Sequence, residues 1–161
     1  MFKQISFSVA ILLLYIWFSS QSIFGQTIDL NVNGVEINNS YADVIKKLGK
    51  PAKSKKDGNV PCSDGSTRST LHYSGLILKL ESNPEVKDFG VYKVEVTSAK
   101  WSVRGVRIGD SKEAVFAKFG KGNELFEVGR PYLAYFIVDG YASFYFHDER
   151  LAKIVWEFNF C

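Results

Sequence analysis

Histidine occurs only twice in the 161 residues, at His72 and His147, and cysteine only at Cys62 and Cys161. That shortage removes most catalytic chemistry. A serine or cysteine nucleophile needs a base within hydrogen-bond reach, and no Gly-x-Ser-x-Gly elbow occurs anywhere in the chain. His72 falls in a strand-like stretch and His147 in a turn beside Asp148 and Glu149, so both read as surface positions. Zinc needs ligands clustered at short spacing, which two distant histidines and two isolated cysteines do not supply. Asp148 and Glu149 are adjacent on a turn and do not converge on one substrate bond as a general acid and base must. A glycine-rich strand-to-helix turn followed by Lys-Ser or Lys-Thr is also missing, so no phosphate cradle is expected. The chain reads as a non-enzyme without metal or cofactor.

Charge of one sign is lacking too. Twenty basic against 17 acidic residues leave +3, too balanced for a steering field, and nucleic acid is not an expected partner. The one basic cluster, Lys46, Lys47, Lys50, Lys53, Lys55 and Lys56, starts at a helix C-terminus, where cations meet the dipole favourably. It reads as a solvated edge.

The apolar run from Ile5 to Phe18 is short of the ~20 residues a membrane-spanning helix needs. It follows Met1-Phe2-Lys3 and precedes Ser19, Ser20 and Ser22, the layout of a signal peptide over residues 1–25 with its cut at Gly25-Gln26. The alternative is an uncleaved N-terminal anchor, the one case in which a membrane is an expected partner. No cysteine lies near the cut, which argues against lipidation. Cleavage would remove Lys3 and leave +2 on a chain of roughly 135 residues, enough for one core. Export, most simply to a periplasm, would place both cysteines in an oxidising compartment. A Cys62–Cys161 bond would close a loop of ~100 residues and stabilise by ~2–4 kcal/mol; two free thiols are the alternative, because spacing carries no geometry.

What the chain does hold is one phrase written twice. Gly34-Val35-Glu36-Ile37-Asn38-Asn39-Ser40 returns as Gly105-Val106-Arg107-Ile108-Gly109-Asp110-Ser111, and Val44, Lys47, Gly49 and Lys50 return as Val115, Lys118, Gly120 and Lys121 at unchanged spacing. Such self-similarity points to a duplicated supersecondary unit. Tyr41, Val44, Ile45 and Leu48 share one helical face, with Ser40 and Asp43 as a capping box, Gly49 at the stop and Pro51 beyond it. Val115, Phe116 and Phe119 form the second stripe, with Asp110 and Glu113 as the capping pair and Gly120 as the stop.

Downstream of each helix the period falls to two. Leu71 to Leu80 reads as two strands meeting at Ser74-Gly75, and Val91 to Val96 as a third. Tyr132 to Val138 turns at Asp139-Gly140 into Tyr141 to Phe146, and Leu151 to Phe160 follows. The expected class is α+β: two tandem β-α-β-β-β repeats, residues 26–100 and 101–161, with short helices packed on antiparallel sheet in one compact domain. The Lys53 to Thr70 insert reads as a long irregular loop, longer than its counterpart around Gly122 to Arg130. Ala142, Phe144, Phe146, Ile154, Trp156, Phe158 and Phe160 are expected to face the helix, and Tyr141, Ser143, Tyr145, Lys153, Val155, Glu157 and Asn159 the other side.

The two segments Gly34–Lys50 and Gly105–Lys121 resemble the G-[VI]-x-[IL]-G-x-[ST] helix motif of small exported domains such as the beta-lactamase inhibitor protein (BLIP) and the BamE/SmpA outer-membrane lipoproteins. Asn38 replaces the motif's glycine in the first copy, and Ala114 stands where an acid is usual in the second. Two copies and no lipidated cysteine favour the inhibitor-like arrangement, which implies a saddle whose exposed sheet face grips another protein. Amphipathic rings on an open sheet are what binding hot spots use. Tyr141 and Tyr145 are the leading partner-binding residues, with Tyr73 and Trp101 as an extension. Tyr135 is a weaker member, since its strand is apolar on both faces. The expected function is an exported protein-binding module, with an envelope structural or assembly factor held by an uncleaved N-terminus as the alternative.

Overall fold

The computed structural model describes residues 28, 30–60, 65–83, 88–127, 130–137 and 140–158. Ser40 accepts from the Asp43 N–H at 3.1 Å while the Asp43 carboxylate accepts from the Ser40 N–H at 3.3 Å, and this reciprocal cap starts α1 (Tyr41–Leu48). Gly49, at φ 76°, ends it and donates to the Ile45 carbonyl. The second helix, α2 (Lys112–Phe119), also ends on a glycine at φ 76°, Gly120, but its N-cap is Ser111. The expected Asp110 cap is corrected: the Asp110 carboxylate accepts from the Arg107 N–H at 2.8 Å and closes the preceding turn. That leaves the serine, one residue nearer, to cap the helix.

Eight strands follow, β1 (Lys53–Asn59), β2 (Thr67–Tyr73), β3 (Leu76–Asn83), β4 (Asp88–Val96), β5 (Asn123–Glu127), β6 (Arg130–Ile137), β7 (Gly140–His147) and β8 (Arg150–Phe158). They form one antiparallel sheet in the order β1-β2-β3-β4-β8-β7-β6-β5. Two four-strand meanders are thus joined along β4 and β8, where Lys93 pairs with Glu157, Val94 with Trp156, Glu95 with Val155 and Val96 with Ile154.

The α+β expectation of two tandem β-α-β-β-β repeats is overturned. The described residues are 14% helical and 56% strand, so this is a predominantly β fold built on a single sheet. Among the described residues neither helix has the short leading strand expected of its repeat. Asn33 and Arg104, at φ 50° and 52°, bend with Gly34 and Gly105 into tight turns, so Val32, Val35, Val103 and Val106 make only isolated bridges. The segments expected as loops, Lys53–Asn59 and Asn123–Glu127, are instead the two edge strands, exposed along their whole length. Edge strands bury neither face and carry no apolar alternation to read. Lysine along β1 also blunts that edge against pairing with another chain.

One sheet face carries the core. Leu71, Leu78, Val94, Trp156 and Phe144 lie in one buried cluster with Val44 of α1 and Val115 of α2, so both helices lie on this side. Phe146 packs against the same cluster. The other face carries no described helix. Among the described residues no helix is long and apolar enough to cross a membrane. Cys62, Cys161, Phe160, Asn159 and the leader over residues 1–25 lie outside the described residues.

Candidate binding face

The free face is built by the β6–β7 hairpin. Its register sets Tyr132 opposite Tyr145, Ala134 opposite Ser143, and Phe136 opposite Tyr141. These six residues share one side because strand side chains alternate. β5 extends the side with Leu125, which pairs with Tyr132. The Tyr132 and Tyr145 rings stack at 5.1 Å, and the Lys153 ammonium sits 4.3 Å above the Tyr145 ring. Between the two aromatic rows lie Ala134 and Ser143, both small and buried, which leaves a low strip for an incoming side chain.

Hydroxyls on this face are held by acids. Tyr141 donates to Glu157 Oε1 at 2.6 Å and Tyr145 to Glu127 Oε2 at 2.8 Å. Glu157 also takes Lys93 Nζ at 2.5 Å. Its burial pushes the carboxyl up, but hydrogen bonds from Lys93 and Tyr141, with the Lys93 and Lys79 charges, outweigh it and hold Glu157 below its ordinary value. The hydrogen bond to Glu157, then burial and that carboxylate's charge, pushes the Tyr141 phenol up to about 12. Burial, then the bond to Glu127, does the same for Tyr145, up to about 12.

A phenol whose folded pKa is raised contributes stability that is complete below its unfolded value of 10.0 and is lost as pH climbs through the folded value. Stability is therefore expected to fall between about pH 10 and pH 12, with Tyr141 and Tyr145 ionising late in a phenolate absorbance titration. Uniform ionisation of every tyrosine near 10 with no loss of stability would contradict these contacts.

Elsewhere on the face several polar groups pair with one another. Arg68 bonds Glu81 at 2.9 Å and lies 4.7 Å over the Tyr92 ring, and Thr70 donates to Asp57. Open apolar surface concentrates at the β5–β7 end, where Phe136 is 75% exposed and Leu125 44%.

Of the residues singled out from sequence, Tyr141 and Tyr145 lie on this face and the other three do not. Tyr135 is 5% exposed on the core side, its hydroxyl donating to the Gly120 carbonyl at 2.9 Å. Tyr73 donates to the Gly49 carbonyl at 2.9 Å, and Trp101, 5% exposed, packs edge-on against Tyr73 at 6.2 Å and donates to the Ser74 carbonyl at 2.8 Å. Their polar tips satisfy carbonyls at helix stops and a turn, and their rings belong to the core. Trp101 and Tyr135 thus lie in the core cluster and Tyr73 packs partly buried against it, on the side away from the free face. Tyr132, Phe136 and Leu125 were missed, although the register of a hairpin turning near Gly140 would have set Phe136 against Tyr141.

Both histidines stand apart from this face's aromatic end. His147 Nδ1 lies 3.0 Å from Asp148 with both side chains in solvent, and His72 is half-buried on β2. Among the described residues no three His, Cys, Asp or Glu side chains come together as a metal site.

The sequence matches no family model and no curated protein. Two solved structures share part of its course. One is an extracellular protein containing an SCP domain from Bacillus anthracis str. Ames, 15% identical with a TM-score of 0.48 over 76% of this chain and 44% of that one. The other is a DUF4309 family protein (YjgB) from Bacillus subtilis subsp. subtilis str. 168, 13% identical with a TM-score of 0.44 over 78% and 83%. The chain spans less than half the length of the SCP-domain protein. Neither is a BLIP or BamE protein, and at these scores neither likeness carries an argument about function. The site is read from its own geometry.

Proposed function

We propose that this chain is an exported, non-enzymatic module that binds another protein, in the manner of a small inhibitor, through the aromatic end of its free sheet face. The observation that supports it is the patch of Phe136, Leu125 and the Tyr132–Tyr145 stack, apolar surface left open beside tyrosine hydroxyls already bonded to Glu157 and Glu127. Large rings whose hydroxyls and cations are already positioned lose little side-chain entropy on docking. The resemblance of the duplicated helix motif to the BLIP and BamE proteins points the same way, and the signal-like leader carries the export.

Phe136 and Leu125 give the cleanest test because neither serves the core. The Phe136→Ser/Leu125→Ser double variant is expected to lose partner capture in a crosslinking pull-down from the native cell envelope. Its unfolding free energy should stay within about 0.5 kcal/mol of the parent, as for surface substitutions away from special features. Equal capture by parent and variant, or no capture by either, would count against the reading.

A further inference from the structure

At the C-terminal end of α2, and sharing Ala134 and Phe136 with the edge of the free face, the chain opens a cleft of about 310 Å³ walled by Phe119 and Tyr135 and bordered by Ile28 and Gly122. Arg104, Lys118 and Lys121 line it, and among the described residues no acid does. Among the described residues none of the three forms an ion pair. The Arg104 guanidinium lies 5.7 Å over the Phe119 ring. Three like charges around an apolar cleft repel one another unless an anion enters.

The matching segment of the same chain serves as an internal control. There Lys47 is fully occupied, its Nζ donating to the Gly34 carbonyl at 2.6 Å and to Asn39 Oδ1 at 2.7 Å. Lys118 occupies the same place in its segment but makes no such hydrogen bond among the described residues, although Asp110, matching Asn39, accepts from the Arg107 N–H just as Asn39 accepts from the Glu36 N–H.

The apolar walls differ in the same sense. Tyr73 and Tyr135 make one and the same contact, hydroxyl to the carbonyl of the helix-ending glycine. Against Tyr73 packs the indole of Trp101. Trp101 stands four residues before Gly105, and the residue four before Gly34 is Leu30. A leucine stands at the position matching that indole, and the Tyr135 ring packs instead against Phe119 at 5.7 Å and Phe144 at 5.3 Å.

We propose that this cleft binds a ligand coupling a planar aromatic ring to a carboxylate. The ring lies against Phe119 and Tyr135, where the other half of the molecule supplies its own indole, and the anion meets Arg104, Lys118 and Lys121. A volume of about 300 Å³ suits a small ligand. A free aryl acid and an aromatic residue at a peptide C-terminus present the same chemistry.

The test is an amide chemical-shift titration of the purified protein with indole-3-propionate and with the tripeptide Gly-Gly-Trp, each with its carboxyl free or amidated. Saturable shifts centred on Gly122 are expected for the free carboxylates, weakening with added salt. Response to the indole acid assigns a small aryl acid; response to the tripeptide alone assigns a peptide C-terminus. Arg104→Asn/Lys121→Ser is expected to weaken binding about tenfold. Asparagine already occupies the matching left-handed position at Asn33, so the variant should keep its urea midpoint. Absence of a saturable response at millimolar probe, equal binding of the amides, or equal binding by the folded variant would overturn the proposal.

Discussion

Trp156→Ala is expected to cost about 3–5 kcal/mol of unfolding free energy, a large share of the roughly 5–15 kcal/mol a domain of this size holds. Trp156 is the largest fully buried side chain of the core. It stands on β8 between Val94 of β4 and Ala142 of β7, at the seam that makes one sheet of two meanders. Its small flanking residues cannot close the cavity its removal would leave. Trp156→Phe keeps most of that volume. The indole Nε1–H, moreover, is buried with no hydrogen-bond partner among the described residues, so losing it sacrifices no bond to them. A cost below about 1.5 kcal/mol is expected for phenylalanine. Urea unfolding followed by far-ultraviolet circular dichroism reads both. A Trp156→Ala midpoint unchanged from the parent would refute the placement of this seam.

Gly75→Ala is expected to be nearly as damaging, for a different reason. Gly75 turns β2 into β3 at φ 72°, and a β-carbon there would run into the Ser98 side chain while lying 3.2 Å from its backbone Cα and N. The turn cannot withdraw easily. Its carbonyl accepts from the Thr97 N–H at 2.9 Å, and the neighbouring Ser74 carbonyl holds the Trp101 indole. Left-handed backbone costs alanine about 1–2 kcal/mol, and overpacking adds about 1–3 kcal/mol. Gly120→Ala supplies the comparison, because Gly120 has φ 76° with nothing within 4 Å of its would-be β-carbon. It should lose a backbone cost alone, about 1–3 kcal/mol, because φ 76° with ψ −174° is a region populated essentially by glycine. A Gly75→Ala loss below about 1 kcal/mol by urea midpoint would show that the Ser98 contact does not constrain the turn.

The gap between reading and structure follows from the range of the forces involved. Helix starts and stops are local. Ser40 reaches Asp43, and Gly49 and Gly120 need only their own φ, so α1 and α2 were visible in the residues themselves. The alternation of β7 and β8 was visible for the same reason, since each turns its larger apolar residues to one face, although Ser143 and Val155 on the other are buried too. Edge strands β1 and β5 bury neither face, and a lysine-rich β1 is indistinguishable from a loop until β2 is found beside it. Tyrosine was ambiguous in principle. A ring with a polar tip serves equally to cap a helix-ending carbonyl, as Tyr73 and Tyr135 do, or to pave an open face, as Tyr132 and Tyr145 do.

By itself, then, the sequence determined the two capped helices, the scarcity of catalytic side chains and the two-sided character of the last strands, because each depends on neighbours a few residues away. Only the tertiary structure decided that one sheet runs through the whole molecule, that Tyr73, Trp101 and Tyr135 turn inward, and that Phe136 and Leu125 stay open. Those outcomes depend on the pairing of β4 with β8 and of β5 with β6. Hydrogen bonds between strands use backbone groups common to every residue, so the sequence carries no local mark of which strand will meet which.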